Sequence, residues 1–464
     1  MPEKKWWKGG KSLLFSSLTF LFYFLPAVVL IHRLLPQKAQ NPFLFAASLV
    51  FYAWGEIRYV PLFFALLLAD YGLGLLLGRA RGGTGRKALM ALGVLVDIGA
   101  LVYYKYSGFL LGSLGLAGRF SVPQSLPLGI SFFTFQAVGY LIDVYRRQTE
   151  PERDIFAFGA FLFLFPQLIA GPIVRYGDLK AALHTRRRPG AEALDKGMAL
   201  FVAGLASKVL LANPLGALSE ELRAVTGDSA CQWAHLTAYT LHIYFDFWGY
   251  SVMTLGMGRM LGFRFPRNFN HPYAAASITD FWRRWHITLG GWFRDYVYIP
   301  LGGSRKGTAR TLLNMLVVWA LSGFWHGAGW TFILWGLWFF AALVIDKYAL
   351  RRFHAPGIVR RVFALLCVVV GYAFFTAPDL KSAGETLAAL FSFRAGPTAL
   401  FWLRENAVLL AVSVACCVPP VIEAGRRLLG RHTALRCACM LAALLICLAA
   451  LAKSSYNPFI YFRF

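Results

Sequence analysis

Long apolar stretches alternate with short basic or polar segments along the whole chain. A helix that crosses the hydrocarbon core of a bilayer needs about 20 mostly apolar residues, and shorter stretches suffice inside a helix bundle. The candidate spans are residues 13–33, 42–55, 60–78, 88–106, 127–144, 198–213, 233–262, 312–325, 329–346, 362–378, 401–419 and 437–452. This pattern predicts an all-α polytopic membrane protein with about 11–13 transmembrane helices.

The segment 155–172 is also apolar, but it contains Pro166, Gly171 and Pro172. Proline interrupts the hydrogen-bond ladder of a helix, and such breaks occur at membrane depth where protein surrounds the backbone. We therefore expect a re-entrant or broken helix here rather than a simple span.

The composition supports a membrane environment and narrows the function classes. The 464 residues are 58% hydrophobic and 15% charged, with a formal net charge of +25. So few charged residues exclude a disordered chain and disfavour a soluble domain. The positive surplus first suggests an anionic partner. A nucleic-acid binder is disfavoured, however, because its basic residues would need a single soluble face.

The basic residues cluster in loops that fall on the same side of the predicted membrane domain. These loops begin at Arg33, Arg79, Arg146, Arg175, Arg264, Arg283, Arg305, Lys347 and Arg426. The positive-inside rule makes that side cytosolic, and both termini then lie outside. Four lysines within residues 4–11 would by themselves predict an inside N-terminus. We give the loops more weight because they agree with one another.

Residues 1–12 form a basic extension ahead of the first span. Basic residues followed by an apolar stretch resemble a signal peptide, but no convincing small-residue cleavage site follows. We therefore expect the first span to be retained and residues 1–464 to form a single integral-membrane domain.

The stretch 264–345 differs from the rest of the chain and is the candidate region for catalysis. Its first half is too polar and too aromatic for a lipid-facing helix, although it lies between spans. Trp282 and His286 are four residues apart, so a continuous helix would place them on one face. A basic turn with Arg305 and Lys306 follows on the predicted cytosolic side.

His326 lies in the sequence SGFWHGAGW, between Trp325 and several glycines. An ionisable residue at membrane depth usually faces a cavity or the interior of a bundle. One interpretation is a packed histidine whose ring nitrogen bonds a neighbouring carbonyl. The other is acid–base chemistry, since a neutral imidazole can take a proton from a hydroxyl near neutral pH. His286 would then orient His326 or share the proton.

A catalytic metal is not expected. Two histidines without a cysteine or carboxylate at ligand spacing make a poor zinc site. Asp280 and Asp295 flank His286, but neighbouring arginines are their expected partners.

The chain resembles the membrane-bound O-acyltransferases (MBOAT), in particular the bacterial alginate O-acetyltransferase branch, in collinear blocks over nearly its whole length. The blocks are FSSLTFLFYFLP (15–26), LPLGISFFTFQAVGYLIDVYR (126–146), FPQLIAGPIVR (165–175), FDFWGYS (245–251), NFNHPY (268–273), ITDFWRRWHITL (278–289), DYVYIPLGG (295–303), GFWHGAGWTFILWG (323–336) and the terminal FIYFRF (459–464). Val252, Trp248, Gly290–Gly291 and Gly329 depart from the residues expected there, which leaves the polymer and the partner open.

The resemblance implies a fold, a reaction and a location. The fold would be a ring of tilted helices around a central tunnel, with re-entrant and interfacial helices. His326 would be the catalytic base and His286 the second motif position. Acetyl-CoA would be the cytosolic donor substrate, with no permanently bound cofactor. The acetyl group would cross a bacterial inner membrane to an SGNH-hydrolase-like periplasmic or extracellular acetyltransferase, which modifies a polysaccharide.

Several residues near the two histidines are candidates for binding the donor. CoA carries phosphates, for which arginine and lysine are natural anchors. The candidates are Arg283, Arg284, Arg305, Lys306, Trp282, Trp285, Asn314 and Trp325. A tryptophan ring N–H, Asn314 or a main-chain N–H near Gly327 would stabilise the developing oxyanion.

Three alternatives stay open. D-alanyl transfer to teichoic acid would use a carrier-protein thioester, and peptidoglycan O-acetylation would differ only in the acceptor. A polytopic transporter would need intramembrane charged residues, for which Asp70, Asp97, Lys105 and Asp143 are the candidates. These four lie at or near predicted helix ends or pair with each other.

Overall fold

The computed structural model describes residues 13–116, 118–123, 125–169, 171–394 and 396–453, and these are helical with no strand among them. The extension 1–12 and the terminal block 459–464 lie outside the described residues. The helices are α1 (Leu25–Leu34), α2 (Gln37–Glu56), α3 (Val60–Arg79), α4 (Gly83–Leu101), α5 (Ser107–Ser113), α6 (Ile130–Tyr145), α7 (Ile155–Phe163), α8 (Phe165–Leu168), α9 (Tyr176–Leu183), α10 (Ala191–Ala206), α11 (Asn213–Arg223), α12 (Ser229–Leu261), α13 (Ile278–Arg284), α14 (Ile287–Phe293), α15 (Gly307–His326), α16 (Trp330–Val344), α17 (Gly357–Thr376), α18 (Leu380–Leu390), α19 (Thr398–Glu405), α20 (Ala407–Ala415), α21 (Pro419–Arg431) and α22 (Thr433–Lys453).

The all-α polytopic architecture is confirmed, with fewer spans than the 11–13 predicted. Among the described residues, six helical stretches are long and apolar enough to cross a membrane: Gln37–Arg79, Gly83–Ser113, Ala191–Arg223, Trp330–Leu350, Gly357–Thr376 and Thr433–Lys453. The pair α19 and α20, bent by 66°, would make a seventh, and two shorter apolar helices cover Phe20–Leu34 and Ile130–Tyr145.

The prediction overcounted spans for two physical reasons. The predicted spans 42–55 and 60–78 belong to one helical stretch of 43 residues. The predicted spans 233–262 and 312–325 form α12 and α15, whose polar and aromatic residues make them less apolar than lipid-crossing helices.

The chain divides into two compact units. The first unit comprises Met1–Phe201 and Met253–Pro266, and the second comprises Val202–Val252 and Arg267–Phe464. The expectation of a single domain over residues 1–464 stays a prediction.

The core of the first unit surrounds the broken helix α7–α8, whose residues between 157 and 168 are buried. The helix breaks at Leu164, one residue before α8 begins. Two side chains satisfy backbone groups at the break: Phe165 N donates to Ser48 Oγ at 3.1 Å, and Thr254 Oγ1 donates to Pro166 O at 2.7 Å. The predicted broken helix is thus confirmed, and its polar backbone groups are bonded inside protein.

Two carboxyl groups meet inside the first unit. Asp70 lies in the middle of α3 and Asp97 within α4, and both are buried, at 1% and 0% exposure. The two carboxyl groups are close enough to interact electrostatically. Asp70 lies away from the ends of α3, so its interaction with Asp97 agrees with the second alternative, that these residues pair with each other.

Arg86 caps the C-terminal ends of two helices in the first unit. Its guanidinium is buried and donates to Leu77 O (2.8 Å) and Ala80 O (2.9 Å) at the end of α3. It also donates to Val144 O (2.8 Å) and Tyr145 O (3.1 Å) at the end of α6. The last carbonyls of a helix have no partner within it, and a cation there also interacts favourably with the helix dipole.

Replacing Arg86 with methionine is expected to lower the free energy of unfolding by at least about 2 kcal/mol, since several buried carbonyls lose their donors. Thermal unfolding of the detergent-solubilised protein measures the effect. The neighbouring Lys87 is exposed, so Lys87→Met is the matched control and should leave the melting temperature unchanged. Equal melting temperatures for the two variants would contradict the capping role.

In the second unit, a buried carboxylate joins three helical segments. Asp346 lies in the π-helical extension of α16 and is 0% exposed. Its Oδ1 accepts from Arg360 on α17 at 3.0 Å, and its Oδ2 accepts from the Thr279 hydroxyl on α13. This network holds α13 against α16 and α17.

A second buried ion pair lies between α12 and the π-helical segment before α11. Lys208 Nζ lies 2.6 Å from Asp246 Oδ1, and the two side chains are 5% and 0% exposed. The next residue, Phe247, packs on the ring of His286 with centroids 4.7 Å apart. The pair therefore anchors the turn of α12 that contacts the candidate site.

Candidate active site

His326 is the last residue of α15 and is only 6% exposed. Three aromatic rings contact its imidazole: Trp325 and Trp335, each with a centroid distance of 4.9 Å, and Phe375 at 5.5 Å. Trp335 comes from α16 and Phe375 from α17. Three consecutive helices therefore converge to hold this imidazole in aromatic surroundings.

The helices α15 and α16 pack closely at a pair of glycines. A Cβ on Gly323 would lie 2.3 Å from Phe332 O, and a Cβ on Gly336 would lie 2.2 Å from Trp319 O. Real Cβ atoms do not approach other atoms so closely, so only glycine permits this crossing. The crossing fixes the end of α15, and with it the imidazole, against α16.

His286 occupies the junction between α13 and α14. Its backbone is left-handed, with φ 45° and ψ 52°, and the residue is 3% exposed. Burial lowers the pKa of His286 to about 3. The imidazole is therefore neutral near pH 7, and protonating it would be costly.

The indole of Trp325 contacts both histidine rings, with centroid distances of 4.9 Å to His326 and 6.1 Å to His286. The two motif histidines, 40 positions apart in the sequence, thus lie against one side chain. The structure brings together the two residues that the sequence selected for catalysis.

The expectation that Trp282 and His286 share a helical face is wrong. Helix α13 ends at Arg284, and Trp285 is extended, with φ −104° and ψ 130°. Helical spacing does not continue to residue 286, because the chain turns before α14 begins. The Trp282 ring instead packs on Trp319, at a centroid distance of 4.7 Å.

Trp282 and Trp335 belong to one aromatic group beside His326. Their centroids are 5.7 Å apart, and each packs on Phe339, at 4.7 Å and 5.1 Å respectively. Both indole Nε1 atoms are buried, and neither bonds any residue that the structure describes. A buried donor without an acceptor is costly, so these N–H groups are available for a bound oxygen atom.

Trp285 belongs to a different aromatic group. Its ring stacks on Phe281, with an interplanar angle of 17°, and meets Phe269 edge-on at 5.1 Å. Phe269 in turn contacts Phe247, whose ring packs on His286. Trp285 is thus linked to the His286 ring through the rings of Phe269 and Phe247.

The four predicted basic residues differ in their surroundings. Arg283, Arg305 and Lys306 are exposed. Arg284 pairs with Asp280, with its Nε 3.0 Å from the carboxylate. The first three are therefore the better candidates for an anionic ligand, while the charge of Arg284 is partly neutralised.

Asn314 supports the basic turn rather than the histidines. It is buried, and its Nδ2 donates to Gly303 O at 2.9 Å. It precedes His326 by twelve residues in the same helix, a rise of about 18 Å. The expectation that its amide stabilises an oxyanion beside His326 is therefore wrong, because the group is too distant and already bonded.

Three contact residues were not selected from the sequence. Trp335 lay within a recognised block, but its contact with His326 depends on the chain reversal between α15 and α16. Phe375 and Phe247 come from α17 and α12, and no local pattern distinguishes them from core residues. Among the residues that the structure describes, no three His, Cys, Asp or Glu side chains gather in a possible metal site.

The sequence model of the membrane-bound O-acyltransferase family, MBOAT, matches residues 146–380, about half of the chain. This range includes both histidines and all the predicted binding residues. The chain belongs to this family. It is therefore an acyltransferase embedded in a membrane by several spans.

Curated relatives refine the comparison. The chain is 43% identical over 399 residues to a probable alginate O-acetylase of Azotobacter vinelandii, covering 82% of this chain and 78% of the relative. It is 33% identical over 419 residues to a peptidoglycan O-acetyltransferase of Helicobacter pylori, covering 82% and 80%. It is 30% identical over 244 residues to a teichoic acid D-alanyltransferase of Streptococcus thermophilus, covering 48% and 58%.

Proposed function

We propose that this MBOAT protein transfers the acetyl group of acetyl-CoA to a hydroxyl, with His326 as the general base. The observation that carries this proposal is the contact of Trp325 with both motif histidines. Buried imidazoles held by rigid aromatic neighbours are suited to proton transfer with a positioned substrate.

The chemistry balances without a covalent enzyme intermediate. The acceptor oxygen attacks the thioester carbonyl carbon while His326 takes the hydroxyl proton. The tetrahedral intermediate collapses, the C–S bond breaks, and the imidazolium returns its proton to the leaving thiolate. The products are an acetyl ester and CoA with a free thiol. A neutral His286 helps to orient the reacting groups.

The indole N–H of Trp335 is our candidate for stabilising the oxyanion. Its ring contacts the ring of His326, and its Nε1 has no acceptor among the described residues. The main-chain N–H of Gly327, by contrast, already donates to Gly323 O at 3.4 Å. A preorganised donor beside the base is what an acyl-transfer transition state requires.

Arg283, Arg305 and Lys306 are our candidates for binding the CoA phosphates, because their charged side chains are exposed. Trp282 and Trp325 would line the path of the acetyl group toward His326. Arg284 pairs with Asp280, Trp285 stacks on Phe281 and Asn314 donates to Gly303 O, so we assign these three residues a supporting role. We place the basic turn on the cytosolic side, where the donor would arrive.

The resemblance to the alginate branch implies a bacterial inner membrane and an SGNH-hydrolase-like partner outside it. A polysaccharide acceptor is favoured by the names of the alginate relatives. They match 82% of this chain at about 40% identity. The peptidoglycan enzyme covers the same share at lower identity, so peptidoglycan is the second candidate acceptor. The D-alanyl enzyme matches under half of the chain, which makes D-alanine the weaker candidate.

Reconstituted vesicles containing the purified protein test the donor. With acetyl-CoA labelled in the acetyl group, we expect release of free CoA thiol and labelled ester when acceptor oligosaccharide and the partner enzyme are supplied. Protein-free vesicles give the background. Thiol release from a D-alanyl carrier thioester, with none from acetyl-CoA, would overturn the proposal.

A further inference from the structure

His286 adopts a backbone conformation that a non-glycine residue rarely takes. Its φ of 45° lies in the left-handed region, which costs about 1 kcal/mol or more for a side chain with a Cβ. Such a conformation persists only where neighbouring contacts enforce it. The proposed function needs this imidazole in one place, so the residues that enforce the turn bear on catalysis.

Asn268 bonds both residues that follow His286. Its main-chain oxygen accepts from Ile287 N at 2.9 Å. Its side-chain Oδ1 accepts from the Thr288 hydroxyl at 2.6 Å and from Thr288 N at 3.4 Å. One residue thus fixes the start of α14 through its backbone and its side chain.

Further contacts fix Asn268 and the chain before His286. Asn268 is 1% exposed, and its Nδ2 donates to Ser251 Oγ on α12 at 3.2 Å. Two residues later, Asn270 N donates to Arg284 O at 3.0 Å, at the end of α13. The segment 268–270 therefore bonds the chain on both sides of His286.

We propose that Asn268 is a positioning residue, which acts through Thr288 to hold the His286 imidazole against Phe247 and Trp325. An amide suits this role, since its oxygen accepts from Thr288 while its nitrogen donates to Ser251. The inference rests on the proposed function, because it takes His286 to be part of the catalytic site.

Thr288→Val tests the proposal with little change of volume. Loss of the hydroxyl should lower kcat about tenfold to a hundredfold, since a displacement of 1 Å at a catalytic group costs that much. The KM for acetyl-CoA should change less than about twofold, because the basic residues are untouched. Asn268→Ala should likewise lower kcat with little change in the KM for acetyl-CoA. Asn268→Asp keeps the acceptor oxygen and should retain more turnover.

A measurement independent of activity follows His286 directly. Diethyl pyrocarbonate modifies accessible histidines, and peptide mass spectrometry gives the rate at each one. We expect His286 to be modified at least about five times faster in Thr288→Val than in the unmodified sequence, because the buried ring becomes mobile. Thr311→Val is the matched control, since it removes another buried hydroxyl, bonded to Gly307 O, in α15.

Each outcome decides the proposal. A reduced kcat in Thr288→Val, together with unchanged His286 modification, would overturn it, as would equal effects in Thr311→Val. If His286→Ala itself keeps full turnover, the catalytic use of His286 fails. Faster modification of His286 in Thr288→Val would then still establish the positioning contact.

Discussion

The His326→Ala protein is expected to reach the membrane folded but to transfer acetyl groups about a hundredfold to ten-thousandfold more slowly, the range that a general base contributes. No other imidazole occupies its place between Trp325 and Trp335. Released CoA thiol and ester-bound acetyl on the acceptor measure the loss. His432 is exposed, so His432→Ala is the matched control and should retain full activity.

A second substitution at the same position separates catalysis from packing. His326→Gln keeps most of the side-chain volume and a hydrogen-bonding tip, but it cannot accept a proton near neutral pH. If His326 served only to fill space among Trp325, Trp335 and Phe375, glutamine would restore turnover. A general base requires both variants to be inactive at normal expression. Retained turnover in either well-folded variant would remove His326 from the mechanism.

The apolar stretches were sufficient to predict an all-α membrane protein, but not the number of spans. Periodicity locates apolar residues without showing which of them face lipid. Helices α12 and α15 carry residues such as Asp246 and Asn314, whose partners lie within the protein. Only those partners show that the polar positions face inward.

The sequence was sufficient to select residues of the site, but not to predict their arrangement in space. Both histidines were selected from the sequence, and the structure brings them to Trp325. Helical spacing failed at Trp285 and His286 because tertiary hydrogen bonds, including those of Asn268, override local preference there. The contacts of Trp335 and Phe375 depend on chain reversals between helices, which residue spacing does not encode.

Adding a single methyl group at Gly336 is expected to reduce turnover by about a hundredfold or more. The new Cβ would lie 2.2 Å from Trp319 O and 3.3 Å from Gly323 Cα, so α15 and α16 must separate. Overpacking of this kind costs about 1–3 kcal/mol. The separation also moves His326 away from Trp335, and a displacement of 1 Å at a catalytic group costs about a hundredfold.

The matched control for Gly336→Ala is Gly290→Ala. Gly290 lies in α14, and a Cβ there would meet no atom within 4 Å. Alanine also favours helix by about 1 kcal/mol over glycine, so this variant should be active and slightly more stable. Both variants add one methyl group, so comparing their kcat and melting temperature isolates the effect of the helix crossing. Full turnover in Gly336→Ala would mean that α15 and α16 can part without moving the base, and the close crossing would then have no part in positioning His326.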